Sequence, residues 1–248
     1  MQNMILVSGG QGNLAKELKK SSNNFEIISP SKKEMDIRNF DQINNLIKNY
    51  KPKYFIHAGA FTRPMKKHQE NPDISIQTNI IGTSNVVLAC MKSNIKLIYI
   101  STDYVYPGIS GHYKEEDPLL PFSEENDGIS KYGWSKLGGE CAVRLLDRYL
   151  IIRACLCDFP FPHKAALVDI KKSLIFTKDA APIIMKLLDC DGIINLGGKS
   201  QTVFDFAKSS NKKILPINRD QVKEVRIAPN TSMDISKLNK ILLGKDDL

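Results

Sequence analysis

The sequence predicts an α/β protein with a doubly wound parallel sheet. Three observations support this prediction: short apolar runs of strand length, helical segments between those runs, and a glycine-rich turn directly after the first run. Repeated strand, helix and strand units pair in parallel, because each helix returns the chain across one face of the sheet. The expected fold is therefore an open sheet covered by helices on both faces.

The alternation of strands and helices is regular through the first 153 residues. Strands are expected at 4–8, 25–28, 54–57, 97–100 and 149–152, and helices at 40–50, 74–90 and 131–148. Beyond Arg153 the pattern loosens, and Phe159-Pro160-Phe161-Pro162 interrupts regular structure, so a loop or lid is expected there. We therefore divide the chain into a sheet domain at 1–153 and a small substrate-binding region at 154–248, with a strand near 193–196 returning to the main sheet.

The composition is that of an ordinary globular protein. Hydrophobic residues make up 42% of the chain and charged residues 25%. No run approaches the ~18 apolar residues of a membrane-spanning helix. The first apolar run is followed by glycines instead of a signal-peptide cleavage pattern. The expected location is the cytoplasm, without membrane association.

Neither the charge nor the cysteines indicate a nucleic acid or a metal. The net charge of +8 would suit a polyanion, but the lysines are dispersed without interleaved aromatic residues, so no nucleic-acid partner is expected. The five cysteines are scattered and odd in number, which is typical of reduced thiols. Cys155 and Cys157 have no second Cys or His pair at a usable distance, so no metal site is predicted.

The first turn has the pattern of a dinucleotide site. The run Gly9-Gly10-Gln11-Gly12-Asn13-Leu14-Ala15 follows the first strand and opens a helix. Gly9 permits a tight turn, Gly12 lets the backbone approach a pyrophosphate, and the small Ala15 lets the helix pack close to the strand. Because the N-terminus of that helix faces the phosphates, we expect Gly9, Gly12, Asn13 and Leu14 to bind the cofactor of a Rossmann-type domain.

The end of the second strand favours NADP(H), although NAD(H) is also possible. An NAD site offers a carboxylate to the adenosine ribose about 20 residues after the turn. Here the run 28–33, with Ser31 and Lys32, supplies hydroxyls and two cations, which suit the 2′-phosphate of NADP. The alternative interpretation is a solvated basic turn.

The third predicted strand also ends where a cofactor should bind. The small residues Ala58, Gly59 and Ala60 follow it directly and let the backbone reach the cofactor. His57 itself is expected to be a packed histidine at the end of this strand.

The spacing of Tyr132 and Lys136 favours proton transfer. The two residues are four apart in a predicted helix, so both project from one face. A fixed cation lowers the pKa of a phenol from its free value of about 10, which makes it a better acid at neutral pH. On exposed helices the same spacing also occurs with a solvated Tyr and Lys. Thr102 and Asp103, which follow the predicted strand 97–100, either line the same site or only cap the chain there.

Together these motifs resemble those of extended short-chain dehydrogenases/reductases. The three that carry the resemblance are Gly9-x-x-Gly12-x-x-Ala15, the run 101–106, and Tyr132-x-x-x-Lys136 followed by Gly139-Glu140. Within that superfamily they are similar to the dTDP-4-dehydrorhamnose reductase family. The resemblance covers residues 1–153, and more loosely 179–182 and 192–195.

The resemblance implies NADPH-dependent reduction of a 4-keto-6-deoxy sugar joined to a nucleoside diphosphate. Tyr132 would be the general acid, Lys136 would lower its pKa and hold the nicotinamide ribose, and Thr102 would hydrogen-bond the substrate oxygen. Asp103 would order that loop or contact the sugar. Related dehydratases carry a glutamate directly after the aspartate, and this chain has Tyr104 there, so dehydration is not expected.

Other aspects of the function stay open at this point. Arg63, Arg153 and Arg226 could bind the diphosphate, although a surface salt bridge explains each equally well. The alternatives to a reductase are an epimerase or epimerase/reductase on the same scaffold, and a catalytically silent NADP-binding regulatory subunit. The expected partner is a nucleoside-diphosphate sugar, and a homodimer is possible because the short C-terminal region could share a pocket across two copies.

Overall fold

The computed structural model describes residues 3–22, 24–120, 131–222 and 227–246. The strands of the main sheet are β1 (Met4–Ser8), β2 (Glu26–Ile28), β3 (Tyr54–His57), β4 (Lys96–Thr102), β5 (Tyr149–Ala154) and β10 (Gly192–Leu196). The shorter strands are β6 (Leu156–Cys157), β7 (Ala165–Leu167), β8 (Lys171–Lys172), β9 (Ile175–Phe176), β11 (Gln201–Thr202) and β12 (Leu215–Ile217).

The helices lie between these strands. They are α1 (Asn13–Ser21), α2 (Phe40–Tyr50), α3 (Met65–Glu70), α4 (Pro72–Ser75), α5 (Gly82–Ser93), α6 (Lys131–Val143), α7 (Thr177–Lys186), α8 (Val203–Lys208) and α9 (Ser236–Asp246). A π-helical segment, Ile76–Ile81, connects α4 to α5, and single 3₁₀ turns occur at Asp103–Val105 and Arg219–Gln221.

The main sheet confirms the predicted fold class. Its six strands have the order β10-β5-β4-β3-β1-β2, and β1 pairs in parallel with both β2 and β3. Strand β3 also pairs in parallel with β4, and β10 lies at the edge next to β5 as expected. The strand order reverses between β1 and β3, because the chain adds β2 on one side of β1 and then continues on the other side. In doubly wound sheets, ligands bind outside the carboxyl ends of the strands at such a reversal.

Apolar side chains on both the strands and the helices form the core under α2 and α5. Strand residues such as Leu6, Phe55 and Leu97 are fully buried there. Each such side chain contributes roughly 1.5–3 kcal/mol through removal from water. Helix α2 shows why the sequence folds this way locally. Asn39 caps its first turn by accepting a hydrogen bond from the backbone N–H of Gln42, and Ile43 faces the core.

The chain divides into two compact units. Unit 1 consists of Met1–Ser101, Ser135–Ile152 and Ala181–Ile193. Unit 2 consists of Thr102–Trp134, Arg153–Ala180 and Ile194–Leu248. The units are thus interleaved in sequence. The reason is that the chain leaves the sheet domain after β4 as well as after β5.

Unit 2 contains more regular structure than the sequence indicates. We expected a loop or lid at 155–172, but strands β6, β7 and β8 lie there. They form two-stranded sheets: β6 with β9 and β7 with β12 are parallel, and β8 with β11 is antiparallel. Strands of two or three residues are too short to produce a detectable hydrophobic period.

One helical stretch, Pro72–Ser93, is long and apolar enough to cross a membrane by length and composition. This differs from our expectation that no segment reaches that length. The buried residues of its α5 portion include Val86, Val87 and Cys90, which belong to the core described above. Such burial is the environment of a core helix.

His57 is a buried histidine with two hydroxyl partners, as the sequence predicts. Its Nδ1 lies 2.7 Å from Ser8 Oγ, and its Nε2 lies 3.0 Å from Thr83 Oγ1. Burial lowers its pKa to about 3, and the positive charge of Lys136 contributes in the same direction. The imidazole is therefore neutral at physiological pH.

We expect His57 to make the protein less stable as the pH falls below 6.5. The unfolded chain takes up a proton near pH 6.5 and the folded chain only near pH 3, so protons favour the unfolded state throughout this window. Urea unfolding at decreasing pH should show that the wild type loses free energy of unfolding faster than His57→Gln does. The difference between the two should be about 1.4 kcal/mol for each pH unit. The exposed His163, changed to Gln, is the control. Parallel pH dependence in the wild type and His57→Gln would contradict this assignment.

Candidate functional site

The predicted functional residues fall into two groups, one in each unit. Unit 1 carries the glycine-rich turn, the ends of β2 and β3, and Lys136. Unit 2 carries Thr102, Asp103, Tyr132 and Arg153.

The glycine-rich turn of unit 1 is tightly packed. Gly9 has a φ of +75°, a conformation that residues with a side chain rarely adopt, and its carbonyl accepts a hydrogen bond of 2.8 Å from the Gly12 N–H. A Cβ atom on Gly10 would lie only 2.4 Å from the carbonyl oxygens of Ser29 and Pro30. Glycine is therefore needed where the turn approaches the end of β2.

A cavity of about 410 Å³ lies beside this turn, at the reversal of strand order between β1 and β3. It is lined by the turn, by the segment that follows β2, by the loop that follows β3, and by two residues of the next helical stretch. These are Gly9–Gly12, Lys32, Met35–Arg38, Ala58–Thr62, Ile74 and Thr78. A cavity at this position has the place and lining of a dinucleotide site.

The cavity brings together most of the predicted cofactor residues. Gly9, Gly12, Lys32 and the small residues Ala58, Gly59 and Ala60 all line it. Five others lie outside its lining, among them Tyr132 and Lys136, which were also expected to contact the cofactor. Asn13 is exposed at the start of α1, Leu14 is buried under that helix, and the Ser31 N–H donates to the Glu34 carboxylate at 2.7 Å.

The sequence analysis missed a charged pair in the cavity wall. We expected no carboxylate near the end of β2, but Asp36 lines the cavity next to Arg38. The Arg38 side chain donates to both Asp36 oxygens, with an Nη2 to Oδ2 distance of 2.5 Å. This hydrogen bonding lowers the pKa of Asp36, and the charge of Lys32 contributes in the same direction. The only available signal was an Asp and an Arg two residues apart just before α2.

Asn79 is a second residue that the sequence analysis missed. It lies in the π-helical segment, and its side chain exchanges two hydrogen bonds with the Phe61 backbone at 2.8 and 2.9 Å. Its amide also donates to Ser135 Oγ on α6 at 2.9 Å. Asn79 thus holds the cavity loop after β3 against α6. The extra residue of a π turn is often found at functional sites.

Lys136 is deeply buried in unit 1. Its ammonium donates to the Ile100 carbonyl at 2.8 Å and lies 4.1 Å from the centre of the Tyr99 ring. Burial lowers its pKa to about 7, and the negative charge of Glu140 opposes that shift. The helix that carries it approaches β4 closely, since a Cβ on Gly139 would lie 2.3 Å from the Tyr99 hydroxyl.

In unit 2, Tyr132 lies against Thr102 and Tyr104. The Thr102 side chain is close enough to the Tyr132 hydroxyl to lower its pKa by hydrogen bonding. The Tyr104 ring meets the Tyr132 ring edge-on, with centroids 6.0 Å apart. Burial raises the pKa of Tyr132, the Asp103 charge raises it further, and the hydrogen bond to Thr102 lowers it. The net direction is opposite to the lowering that we expected from the sequence, because a spacing pattern does not reveal burial.

Asp103 is held by several groups of unit 2. Its Oδ1 accepts from the Thr102 hydroxyl at 3.1 Å, and its Oδ2 accepts from the Lys172 ammonium at 2.6 Å. Thr231 donates to the same Oδ2. These partners hold Asp103 in place directly after β4, and both roles considered for it stay predictions.

The three arginines differ in their surroundings. Arg153 is fully buried, and its Nη1 donates to the Tyr106 hydroxyl at 2.9 Å and to the Glu115 carbonyl at 3.0 Å. These contacts tie the guanidinium to other residues of unit 2, and its role in binding a diphosphate stays a prediction. Arg63 is exposed after β3, and Arg226 lies outside the described residues.

Comparisons with known proteins identify the family of the chain. Residues 2–157 match the family model described as RmlD substrate binding domain. A dTDP-4-dehydrorhamnose reductase from Aggregatibacter actinomycetemcomitans is 31% identical over 152 residues, which are 60% of this chain and 49% of that protein. The methionine adenosyltransferase 2 subunit beta of Pongo abelii is 28% identical over 148 residues, 56% of this chain and 42% of that protein. These matches thus extend over about half the length of the relatives or less.

A solved structure extends the similarity over nearly the whole chain. The dTDP-4-dehydrorhamnose reductase from Bacillus anthracis, crystallised in complex with NADP, superposes with a TM-score of 0.84 at 25% identity. The superposition covers 97% of this chain and 92% of that one. The similarity supports the Rossmann-type fold beyond the residues that the family model matches.

We expect Lys136→Met to stabilise the protein near neutral pH. Unfolded lysine keeps its proton up to about pH 10.5 and folded Lys136 only up to about pH 7, so the free energy of unfolding rises with pH between these values. The excess stability of Lys136→Met over the wild type should therefore shrink from pH 7 to pH 10 in urea unfolding, by up to about 1.4 kcal/mol per pH unit. The exposed Lys131 on the same helix, changed to Met, is the control. A constant difference would show that Lys136 keeps an ordinary pKa.

Proposed function

The chain belongs to the RmlD substrate-binding domain family, and from this we propose that it is an NADPH-dependent reductase of a nucleoside-diphosphate 4-keto-6-deoxy sugar. Its reaction would serve deoxysugar or glycan biosynthesis, and we place it in the cytoplasm. The single observation that carries the proposal is the burial of the Tyr132 phenol next to Thr102 in unit 2, close enough for Thr102 to lower the pKa of the phenol. This places a proton donor, Tyr132, beside the hydroxyl group of Thr102, and such a hydroxyl can stabilise a negative charge that develops on a substrate oxygen.

The cavity of unit 1 fits a dinucleotide. Its walls combine the glycine-rich turn at the N-terminus of α1 with small residues after β3. When bound, NADPH supplies the hydride that reduces the sugar carbonyl. Lys32 and Arg38 would hold the 2′-phosphate, and Lys136 would hold the nicotinamide ribose. Asp36 is already paired with Arg38, so the local charge of these side chains remains positive and favours a phosphate over a ribose hydroxyl.

Tyr132 would protonate the sugar oxygen as the carbonyl is reduced. Because its pKa is raised, the phenol keeps its proton throughout the neutral range and is ready to donate it. The incipient alkoxide is far more basic than a phenolate, so the transfer is downhill. Thr102 would turn its single hydroxyl proton from Asp103 Oδ1 to the same oxygen, and Lys136, one turn along the helix from Tyr132, would supply positive charge as the phenolate forms.

A second candidate function is suggested by the methionine adenosyltransferase subunits among the relatives. In this alternative the chain binds NADP and regulates a partner enzyme without catalysis of its own. The presence of Thr102, Tyr132 and Lys136 together argues for the reductase, since cofactor binding alone does not require an acid next to the Thr102 hydroxyl. An epimerase on the same scaffold would show no net oxidation of NADPH, which separates it from a reductase.

We expect Tyr132→Phe to lower substrate-dependent NADPH oxidation by about 10²–10⁴-fold, the usual effect of removing a general acid. The assay combines the protein, NADPH and 4-keto-6-deoxy sugars linked to dTDP, UDP, GDP or CDP, and follows nicotinamide absorbance. The control is Tyr50→Phe, because Tyr50 lies at the exposed end of α2. An undiminished rate in Tyr132→Phe would exclude this mechanism. Absence of oxidation by the wild type with every sugar would favour the regulatory function.

We expect Lys32→Ala to raise the KM for NADPH much more than the KM for NADH. Lys32 lines the cavity, and loss of one charge-assisted contact to the 2′-phosphate should raise the KM about 10-fold or more. The neighbouring exposed Lys33 is not among the lining residues, so Lys33→Ala is the matched control. Equal effects on the two cofactors would show that Lys32 does not recognise the 2′-phosphate.

A further inference from the structure

Lys172 is a buried cation that the mechanism above does not use. It lies on β8, within unit 2, and only 6% of the residue is exposed. Its ammonium donates to Asp103 Oδ2 at 2.6 Å and to Thr231 Oγ1 at 2.8 Å. It also lies 3.9 Å from the centre of the Tyr104 ring. A buried ammonium is retained only where its partners compensate for the loss of water.

The partners of Lys172 keep it charged. Burial by itself lowers the pKa of this ammonium, but the negative charge of Asp103 and the acidic groups Cys155 and Tyr104 together raise it. The ammonium therefore keeps its proton in the neutral range. Lys172 in turn is the counter-ion of the buried Asp103 carboxylate, since Thr102 and Thr231 contact that carboxylate only through neutral hydroxyl groups.

Two arms of contacts lead from Lys172 to Tyr132. In the first, the Asp103 carboxylate binds Lys172 through Oδ2 and the Thr102 hydroxyl through Oδ1, and the Thr102 side chain is close enough to the Tyr132 hydroxyl to influence its pKa. In the second, the Tyr104 ring lies under the ammonium on one side and meets the Tyr132 ring edge-on on the other. Both arms consist only of residues of unit 2.

We propose that Lys172 is a positioning residue for the proposed acid: it fixes Asp103 and Tyr104, and through them the hydroxyl groups of Thr102 and Tyr132. The catalytic role of Lys172 rests on the proposed function. The contacts of Lys172 with Asp103 and Tyr104 are independent of that function. Lys172 would be a second cation in the reaction. Lys136 would act on Tyr132 from the same helix, whereas Lys172 acts through Asp103 and Tyr104.

The ammonium also balances charge during proton transfer. When Tyr132 gives up its proton, a phenolate forms close to the Asp103 carboxylate, and two neighbouring negative charges repel each other. Lys172 bonds that carboxylate directly and reduces the repulsion. A side chain that only filled space at this position would leave the repulsion in place.

Steady-state kinetics test the proposal in the full chain. Lys172→Met should lower kcat about 10–100-fold, the effect expected when a catalytic group shifts by roughly 1 Å, with the KM for NADPH unchanged. Lys172→Arg should recover most of the loss, because it restores the cation. Lys171→Met is the matched control, since that neighbouring side chain is exposed. A wild-type kcat in Lys172→Met, or an equal loss in Lys171→Met, would overturn the proposal.

A double-mutant cycle tests whether Lys172 acts through Tyr132. In the Tyr132→Phe background the further loss from Lys172→Met should nearly vanish, because the group that it positions is gone. Fully additive losses would contradict the proposal. If Lys172→Met does not fold, the pair Asp103→Asn with Lys172→Met removes both buried charges together. A low kcat in that folded pair supports the proposal, and a wild-type kcat overturns it.

A spectroscopic measurement keeps the proposal separate from the proposed function. In protein carrying ¹³C-labelled tyrosine, the Tyr132 resonance is assigned by its absence from Tyr132→Phe. Lys172→Met should shift the Tyr104 and Tyr132 resonances, whereas Lys172→Arg and Lys171→Met should shift them little. Unmoved resonances would overturn the proposal. If these shifts occur but the wild type oxidises no NADPH with any sugar, the positioning role stands and the reductase function fails.

Discussion

The parallel pairing of β1 with its two neighbours is the constraint on which the cofactor cavity depends. Parallel strands end at the same edge of a sheet, so the residues that follow β1 and β3 meet there although about 50 residues separate them in sequence. The glycine-rich turn and the small residues after β3 form one wall through this pairing. Without the reversal of strand order between β1 and β3, the helices that follow would cover this space.

Buried positive charge is handled in three different ways in this chain. Lys136 has a backbone carbonyl and an aromatic ring as its nearest partners, and its pKa falls to about 7. Lys172 has a carboxylate partner, and its pKa rises. Arg153 cannot lose its proton and instead donates to a phenol and a carbonyl. The first lysine can therefore change charge near neutral pH, whereas the second and the arginine stay charged.

The sequence predicted those features that depend on local pattern. The fold class, the strand bounds to within a residue or two and the glycine-rich turn follow from periodicity and turn chemistry, which neighbouring residues determine. Asp36 and Arg38 could not be assigned to the cavity because their place depends on how the segment after β2 folds back. The pKa of Tyr132 and the burial of Arg153 depend on residues that are distant in sequence. Arg153, for example, bonds the Tyr106 hydroxyl, which in turn donates a hydrogen bond to Asn195. Lys172 carried no local signal, since its partners come from residues 103 and 231.

Gly139 has a consequence for how this helix could evolve. A Cβ at that position would meet the Tyr99 hydroxyl at 2.3 Å and the Asn79 carbonyl at 3.0 Å, so even alanine would push α6 away from β4. The ammonium of Lys136 is one turn away and bonds the Ile100 carbonyl of that strand, so it would move with the helix. Variation at residue 139 is thus restricted by the Tyr99 hydroxyl and the Asn79 carbonyl, and the missing side chain of Gly139 keeps the Lys136 ammonium at its place against β4.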